Sequence, residues 1–346
     1  MAVAIVTGST GLVGSEVVRA LLNRSLHVVG IDNDSRAKFF GPEASTVRVR
    51  SELKGLERYT HLNVDIRTAL DPIFHRFNRR ITLVVHCAAQ PSHDWAAGSP
   101  IADFDINARS TLLLLEAVRA YCMNATVVHM STNKVYGDAP NFLPLVTGNE
   151  RLDLPPSHPY YGGIDEFMSI DSSTHSLFGV SKLSADLLMQ EYGRYFGIRT
   201  CILRCGCLTG PSAQGAEQHG FLAYLMKCVK DGTPYLVHGY GGLQVRDNLH
   251  ARDVASAVLA VYDAPVIPGT VYNLGGGRNN SCSVLEAIRA CEAVTGDGCV
   301  WSYSPNARIG DHMWWITDTR KFTRAFPQWR VSTSLSTILQ ELADAQ

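Results

Sequence analysis

The octapeptide HSLFGVSK, residues 175–182, places an aromatic side chain, Phe178, four residues ahead of an amine, Lys182. On a helix, positions i and i+4 lie one above the other on a single face. A phenol in that position would make a proton-transfer pair with the amine, because a neighbouring ammonium lowers the phenol pKa from its usual value of about 10. Phe178 has no proton to give or take, so the sequence frames acid–base chemistry and omits one member of it. His175, Tyr160 and Tyr161, in the segment before the helix, are candidate substitutes.

A second spacing concerns phosphate. VTGSTGLVGSEVV sets Gly8, Gly11 and Gly14 between an apolar run and a helical pattern. Glycines there let the backbone approach a pyrophosphate, which then sits at the positive end of the helix. Asp32 ends the next apolar run, where a carboxylate accepts hydrogen bonds from the adenosine ribose and repels a 2′-phosphate. This favours NAD over NADP, with Arg36 close enough to weaken the preference. Asp65 ends a probable third strand, LNVDI, and can receive an adenine amino group. Leu12, Val13, Asn33 and Ile66 flank these positions and join the expected cofactor set.

The elements that must position these groups follow from hydrophobic period. VAIVTG, LHVVGID, ITLVVHCAA and ATVVHMS alternate with helical stretches such as VGSEVVRALLNR and STLLLLEAVRAYC, and a helix over 180–196 leads into IRTCILRC. Such alternation predicts βαβ units: an α/β fold with a doubly wound parallel sheet of Rossmann type. After about Cys205 the pattern loosens into Gly-rich turns, which predicts a smaller interleaved lobe. The expected division is 1–204 with 243–274 for the nucleotide half, and 205–242 with 275–346 for the substrate half. The Pro-rich segment 140–159 reads as a surface loop near the site mouth.

With 346 residues, 46% hydrophobic and 18% charged, the chain can bury a large core. A net charge of −1 gives no long-range attraction to nucleic acid or an anionic membrane. Nine scattered cysteines without a paired spacing suit a reducing compartment, the cytoplasm, and predict no metal centre. Cys205 and Cys207 read as strand-end packing.

TGSTGLVG, HCAAQ, STNKVYGD, SK and QVRDNLHARD occur in the order found in extended short-chain dehydrogenases/reductases, and the chain resembles that superfamily over nearly its whole length. With Gln90 after CAA and the GIDE of residues 163–166, it looks most like the CDP-tyvelose (CDP-paratose) 2-epimerases, NAD-dependent enzymes that invert a carbon of a nucleotide-linked sugar. The resemblance implies that Thr132 hydrogen-bonds the sugar hydroxyl being oxidised, that Lys182 holds the nicotinamide ribose, and that Phe178 stands at the catalytic Tyr position. It places Ala88, Ala89, Gln90 and Asn107 near the cofactor. Asn133 and Lys134 stand where related 4,6-dehydratases carry an Asp-Glu pair, which points Lys134 into the site and argues against dehydration; there a desolvated amine beside Lys182 has its pKa lowered towards neutrality, which makes Lys134 the first candidate to replace the missing base. Arg246 and Arg308 match two arginines that clamp a substrate diphosphate, with Trp314 and Trp315 close enough in sequence to stack on a base or pack in the core. The expectation is a homodimeric epimerase of a nucleoside diphosphate sugar. Another NAD-dependent sugar-nucleotide enzyme and a retired NAD-binding sensor or scaffold remain as alternatives.

Overall fold

The computed structural model describes residues 1–68, 70–212, 220–307 and 310–345. Arg308, one of the two expected diphosphate ligands, lies outside the described residues. The runs rich in Val and Ile become strands β1 (Val3–Thr7), β2 (His27–Ile31), β3 (Tyr59–Leu62), β4 (Ile81–His86) and β5 (Thr126–Thr132). They are followed by β6 (Arg199–Cys205), β7 (Cys207–Thr209), β8 (Val245–His250), β9 (Thr270–Leu274), β10 (Ser281–Ser283) and β11 (Trp314–Trp315). Seven of them form one sheet in the order β9-β6-β5-β4-β1-β2-β3. Every pairing in it is parallel, and Ile5 lies between Val29 and Val84. The chain direction of winding reverses between β1 and β4, the place where open α/β sheets bind ligands.

Helices cover both faces, as burial of parallel strands requires. On one, α1 (Leu12–Asn23) buries Val17, Val18 and Leu21 against Val254, Val258 and Val261 of a helix at Ala251–Asp263. On the other, Leu114, Leu115 and Val118 of the helix Ser110–Tyr121 pack with Ile5, Val29 and Val84. Each fully buried aliphatic side chain contributes about 1.5–3 kcal/mol. A separate cluster that includes Leu225, Met226, Ile288, Ile338, Leu339 and Leu342 forms the core of the small lobe. β8 pairs with β10, β11 and β7 outside the large sheet, while the helix after it packs on α1.

The helix expected over 180–196 spans Leu177–Phe196, because the Ser176 hydroxyl caps it by accepting from the Gly179 N–H. β3 ends at Leu62, ahead of Asp65. The Pro-rich segment carries a two-stranded ribbon, Val146–Thr147 with Leu152–Asp153, and packs through Leu154 on Trp314 instead of lining the site. Among the described residues no helix is long and apolar enough to cross a membrane.

Candidate active site

One cavity of about 540 Å³ connects the C-terminal ends of the central strands with the inner wall of the small lobe. At the sheet end Gly8 has a φ of 66°, and a Cβ there would lie 2.7 Å from the Ala88 nitrogen. A Cβ on Gly14 would lie 2.0 Å from the Gly8 carbonyl oxygen. Side chains at these positions would force the loop apart, so the backbone stays open to the cavity. Gly11 precedes α1 with no side-chain cap, which leaves first-turn N–H groups for an anion. Asp32 accepts from the Thr10 and Asp34 N–H groups at 3.0 and 2.9 Å, which fixes its carboxylate at the end of β2. Burial lowers the Arg36 pKa to about 10, and its guanidinium lies 4.8 Å from the Phe40 ring centre. Asp65 accepts from Arg67 Nε and Nη2 at 3.0 and 2.6 Å, and these hydrogen bonds hold its pKa below the usual carboxylate value. Leu12, Val13, Asn33, Ile66, Ala88 and Ala89 complete this end.

Midway along the cavity β5 ends on Thr132, whose Oγ1 accepts from the Lys134 N–H at 3.2 Å. Opposite it the helix Leu177–Phe196 presents Phe178 and Lys182. Lys182 Nζ donates to the Met130 carbonyl at 2.7 Å, and burial lowers its pKa to about 8 against the field of Asp186. Asp186 is itself buried, accepting from Ser131 Oγ at 2.6 Å and from Arg204 Nε and Nη2 at 3.0 and 2.9 Å. That network ties the helix to β5 and β6, so Lys182 and Thr132 are held by one buried scaffold. Phe178 meets the ring of His93 edge to face with centroids 5.0 Å apart, and His93 Nδ1 lies 2.6 Å from Ser176 Oγ.

On the lobe side Lys134 Nζ donates to the Gly310 carbonyl and to Asp311 Oδ1, both at 3.1 Å, and Arg246 Nη2 donates to the same Oδ1 at 2.7 Å. Burial acts to raise the Asp311 pKa, but Arg246 and Lys134 outweigh it and hold the carboxyl well below the usual range. Burial lowers the Lys134 pKa, with Asp311 opposing and Arg246 adding to the shift. Two cations sharing one carboxylate leave a positive charge in excess. Gln244, just ahead of β8, and Arg246 and Asn248 within it occupy alternate positions and line the cavity. Gln244 Oε1, Asn248 Oδ1, Thr209 Oγ1 and His238 Nε2 are buried without a hydrogen-bond partner among the described residues. Such a group costs about 1–3 kcal/mol, so four on one wall mark where a polar ligand supplies the missing partners.

A sequence profile described as the NAD dependent epimerase/dehydratase family matches residues 4–275. The chain belongs to this family. It is 30% identical to CDP-paratose 2-epimerase of Salmonella typhi, with 98% of each chain covered. It is 29% identical to dTDP-glucose 4,6-dehydratase of Escherichia coli, over 84% of this chain and 76% of that one. The crystal structure of UDP-glucuronic acid 4-epimerase from Bacillus cereus, in complex with UDP-glucuronic acid and NAD, matches with a TM-score of 0.80 at 26% identity, covering 99% of this chain and 98% of that one.

NAD is the cofactor of this epimerase/dehydratase, and its site fits: the glycine cradle and α1 terminus suit the pyrophosphate, and Asp32 stands where a ribose is held. Thr132, Asn133, Lys134, Phe178, Lys182 and Arg246 share the cavity, as the sequence suggested. Gln90 and Asn107 stand one layer behind it. Asn107 Nδ2 donates to the Gln90 carbonyl, Asp103 and Ser181, and Gln90 Nε2 donates to the Ser92 carbonyl and Asp103, so both brace the wall instead of lining it. His175 is also displaced: Nε2 lies 2.8 Å from the Val135 carbonyl oxygen and Nδ1 3.2 Å from that of Ser173, which ties down the turn before the helix. Tyr160 packs in the cluster around Trp314 and Trp315, and Tyr161 lies under Arg278, whose guanidinium carbon is 3.8 Å from its ring centre. Both tryptophans are fully buried there and have no face to offer a base. Glu166 of GIDE accepts from the Asn273 N–H at the far sheet edge. Cys205 and Cys207 line the cavity as thiols pushed by burial to about 12 and about 11. Asp311 and His93 were not expected. Asp311 follows Arg308 by three residues and His93 follows HCAAQ by three, which are the only signals the sequence offers for them.

Proposed function

We propose that this chain is an epimerase of a nucleoside diphosphate sugar, working through removal of a hydride from a sugar carbon and its return to the other face of a transient ketone. Bound NAD accepts and returns that hydride. The wall formed by Gln244, Arg246, Asn248 and Asp311 carries the reading, because it joins excess positive charge to unpartnered polar atoms in the cavity that holds the cofactor residues. Arg246 pairs with the diphosphate, with Arg308 as its expected companion; a guanidinium fork matches phosphate oxygens and keeps its charge when buried. Thr132 Oγ1 hydrogen-bonds the hydroxyl to be oxidised. Lys182, held against Met130, favours its alkoxide and binds the nicotinamide ribose. Lys134 and Asn133 orient the sugar. Residues 1–204 with 243–274 hold the cofactor and the remainder the nucleotide sugar, except that Thr132, Asn133 and Lys134 of the first segment and Gln244, Arg246 and Asn248 of the second face the sugar nucleotide.

Two helices at Ser110–Tyr121 and Leu177–Phe196 expose Leu112, Val180 and Leu187, which supports a homodimer through that face. All nine cysteines are unpaired thiols, as a cytoplasmic setting favours. Phe178 favours a second reading, a protein that binds NAD and a sugar nucleotide without turnover.

The test offers the NAD-loaded protein CDP-paratose and a panel of CDP-, UDP- and dTDP-sugars and follows the products by NMR. The expected result is an epimer with no net NADH and no loss of water. Accumulating NADH or a dehydrated product reassigns the chemistry, and binding without conversion across the panel selects the second reading.

A further inference from the structure

The epimerase reading leaves the sugar hydroxyl proton without an acceptor at Phe178. Thr132 is no base near neutral pH. Lys182 Nζ is turned onto the Met130 carbonyl, and Lys134 Nζ is a donor to a carbonyl and a carboxylate, acceptors that hold an ammonium. Among the described residues the cavity has two imidazoles, His93 and His238. Imidazole is the side chain whose unperturbed proton exchange falls nearest neutrality. His238 is on the small lobe beside Gln244, which donates to its carbonyl. His93 is against Phe178 itself.

We propose that His93 is the proton-transferring residue that replaces the missing phenol; this rests on the epimerase reading. Its ring is positioned on three sides. Ser176 Oγ, which already accepts the Gly179 N–H, lies 2.6 Å from Nδ1. The Phe178 ring packs on it edge to face. Gly310 lies on the third side, where a Cβ would make ordinary contact, 3.5 Å from both Cε1 and Nδ1. The carbonyl of that same Gly310 accepts from Lys134, so the imidazole and the sugar-facing ammonium are set by one turn of chain.

In the oxidation half the carbinol O–H bond breaks and its proton passes to neutral His93, giving imidazolium. The C–H electron pair of the same carbon leaves as hydride to the cofactor and a C=O bond forms. In the return half the hydride adds to the opposite face of the ketone, and the imidazolium gives its proton to the nascent alkoxide. Neither a proton nor an electron is gained or lost over the cycle.

The test uses NAD-loaded protein with whichever panel sugar the wild type converts, CDP-paratose first. His93→Ala lowers kcat roughly 10²- to 10⁴-fold, the usual cost of losing a general base. KM rises far less than kcat falls, and the calorimetric affinities for CDP and NAD stay within about twofold, because the proposed contact of His93 is with the sugar hydroxyl alone. Added imidazole restores part of the lost rate, and wild type has an acid limb in its kcat profile that His93→Ala lacks. Phe178→Tyr placed in the His93→Ala background recovers activity, since the new phenol stands one helical turn from Lys182. A kcat that survives His93→Ala overturns the inference and leaves the epimerase reading intact. Equal losses of kcat and of CDP and NAD affinity also overturn it, since they show a structural role. Wild type inert towards the whole panel removes the epimerase reading and this inference together.

Discussion

At the scale of single residues, the decisive contact is the carboxylate of Asp311 shared by Arg246 and Lys134. Because Lys134 remains to satisfy Asp311, removing Arg246 leaves no orphaned buried anion. Arg246→Ala therefore weakens CDP binding by about 1.5–3 kcal/mol, the range for a charged hydrogen bond, or roughly 10- to 100-fold, with little change in melting temperature. Titration calorimetry with CDP checks it; unchanged affinity would remove Arg246 from the diphosphate site. Residues of this kind divide by legibility. Gly8, Gly14, Asp32, Thr132 and Lys182 stand at strand ends and helix starts, where a local motif fixes their direction. The Lys134–Asp311 contact joins positions 177 apart in the chain, and no local pattern encodes it. His175 misled because Phe178, three residues on, lines the cavity while the His175 ring turns to the Val135 carbonyl.

At the scale of elements, β4 and β5 bring a liability into the middle of the sheet. Their register sets His86 opposite His129, and the rings stack at 5.3 Å. His86 is hydrogen-bonded to Thr7 and Thr111 through its two nitrogens, whereas neither nitrogen of His129 has a partner among the described residues. Burial lowers the His86 pKa to about 3 and that of His129 well below its ordinary value, with Lys182 adding to both shifts. The unfolded chain thus binds protons that the fold refuses: stability is full above about 6.5 and is lost as pH falls below it. Each such histidine contributes a slope of up to about 1.4 kcal/mol per pH unit. Asp103 and Asp247, pushed by burial to about 6, act in the opposite sense, so the clean comparison is between wild type and His129→Phe. Urea unfolding between pH 7 and pH 5 is expected to show a shallower acid loss for the variant; parallel curves would refute it. The Val-rich runs made both strands legible, but ring stacking follows from register, which depends on which strands become neighbours. The third strand shows the other limit, since its end was placed by a motif residue, Asp65, and not by where pairing with β2 stops at Leu62.

At the scale of the whole molecule, two adjacent helices, Ser110–Tyr121 and Leu177–Phe196, leave apolar side chains outside the cores. Leu112, Val180 and Leu187 remain 38–43% exposed, and Ile101 and Phe104 lie on the segment leading into them. Covering them with a second copy is the proposed dimer. Leu187→Asp is expected to give a monomer by light scattering with NAD affinity retained, and an unchanged mass would move the interface elsewhere. The two-lobed plan was readable from the shift in periodicity after Cys205. The strand order was not, because β9 reaches the large sheet only after the chain has built β7 and β8 in a separate, smaller sheet. β8 also has a meaning for descent. Val245 and Leu249 pack in two different cores, while Gln244, Arg246 and Asn248 alternate with them and face the cavity. Mutations at the even positions alter what the wall recognises, and those at Val245 or Leu249 threaten the scaffold. A duplicated copy of this gene can therefore drift towards a new nucleotide sugar through substitutions on one strand, while selection holds the intervening residues fixed.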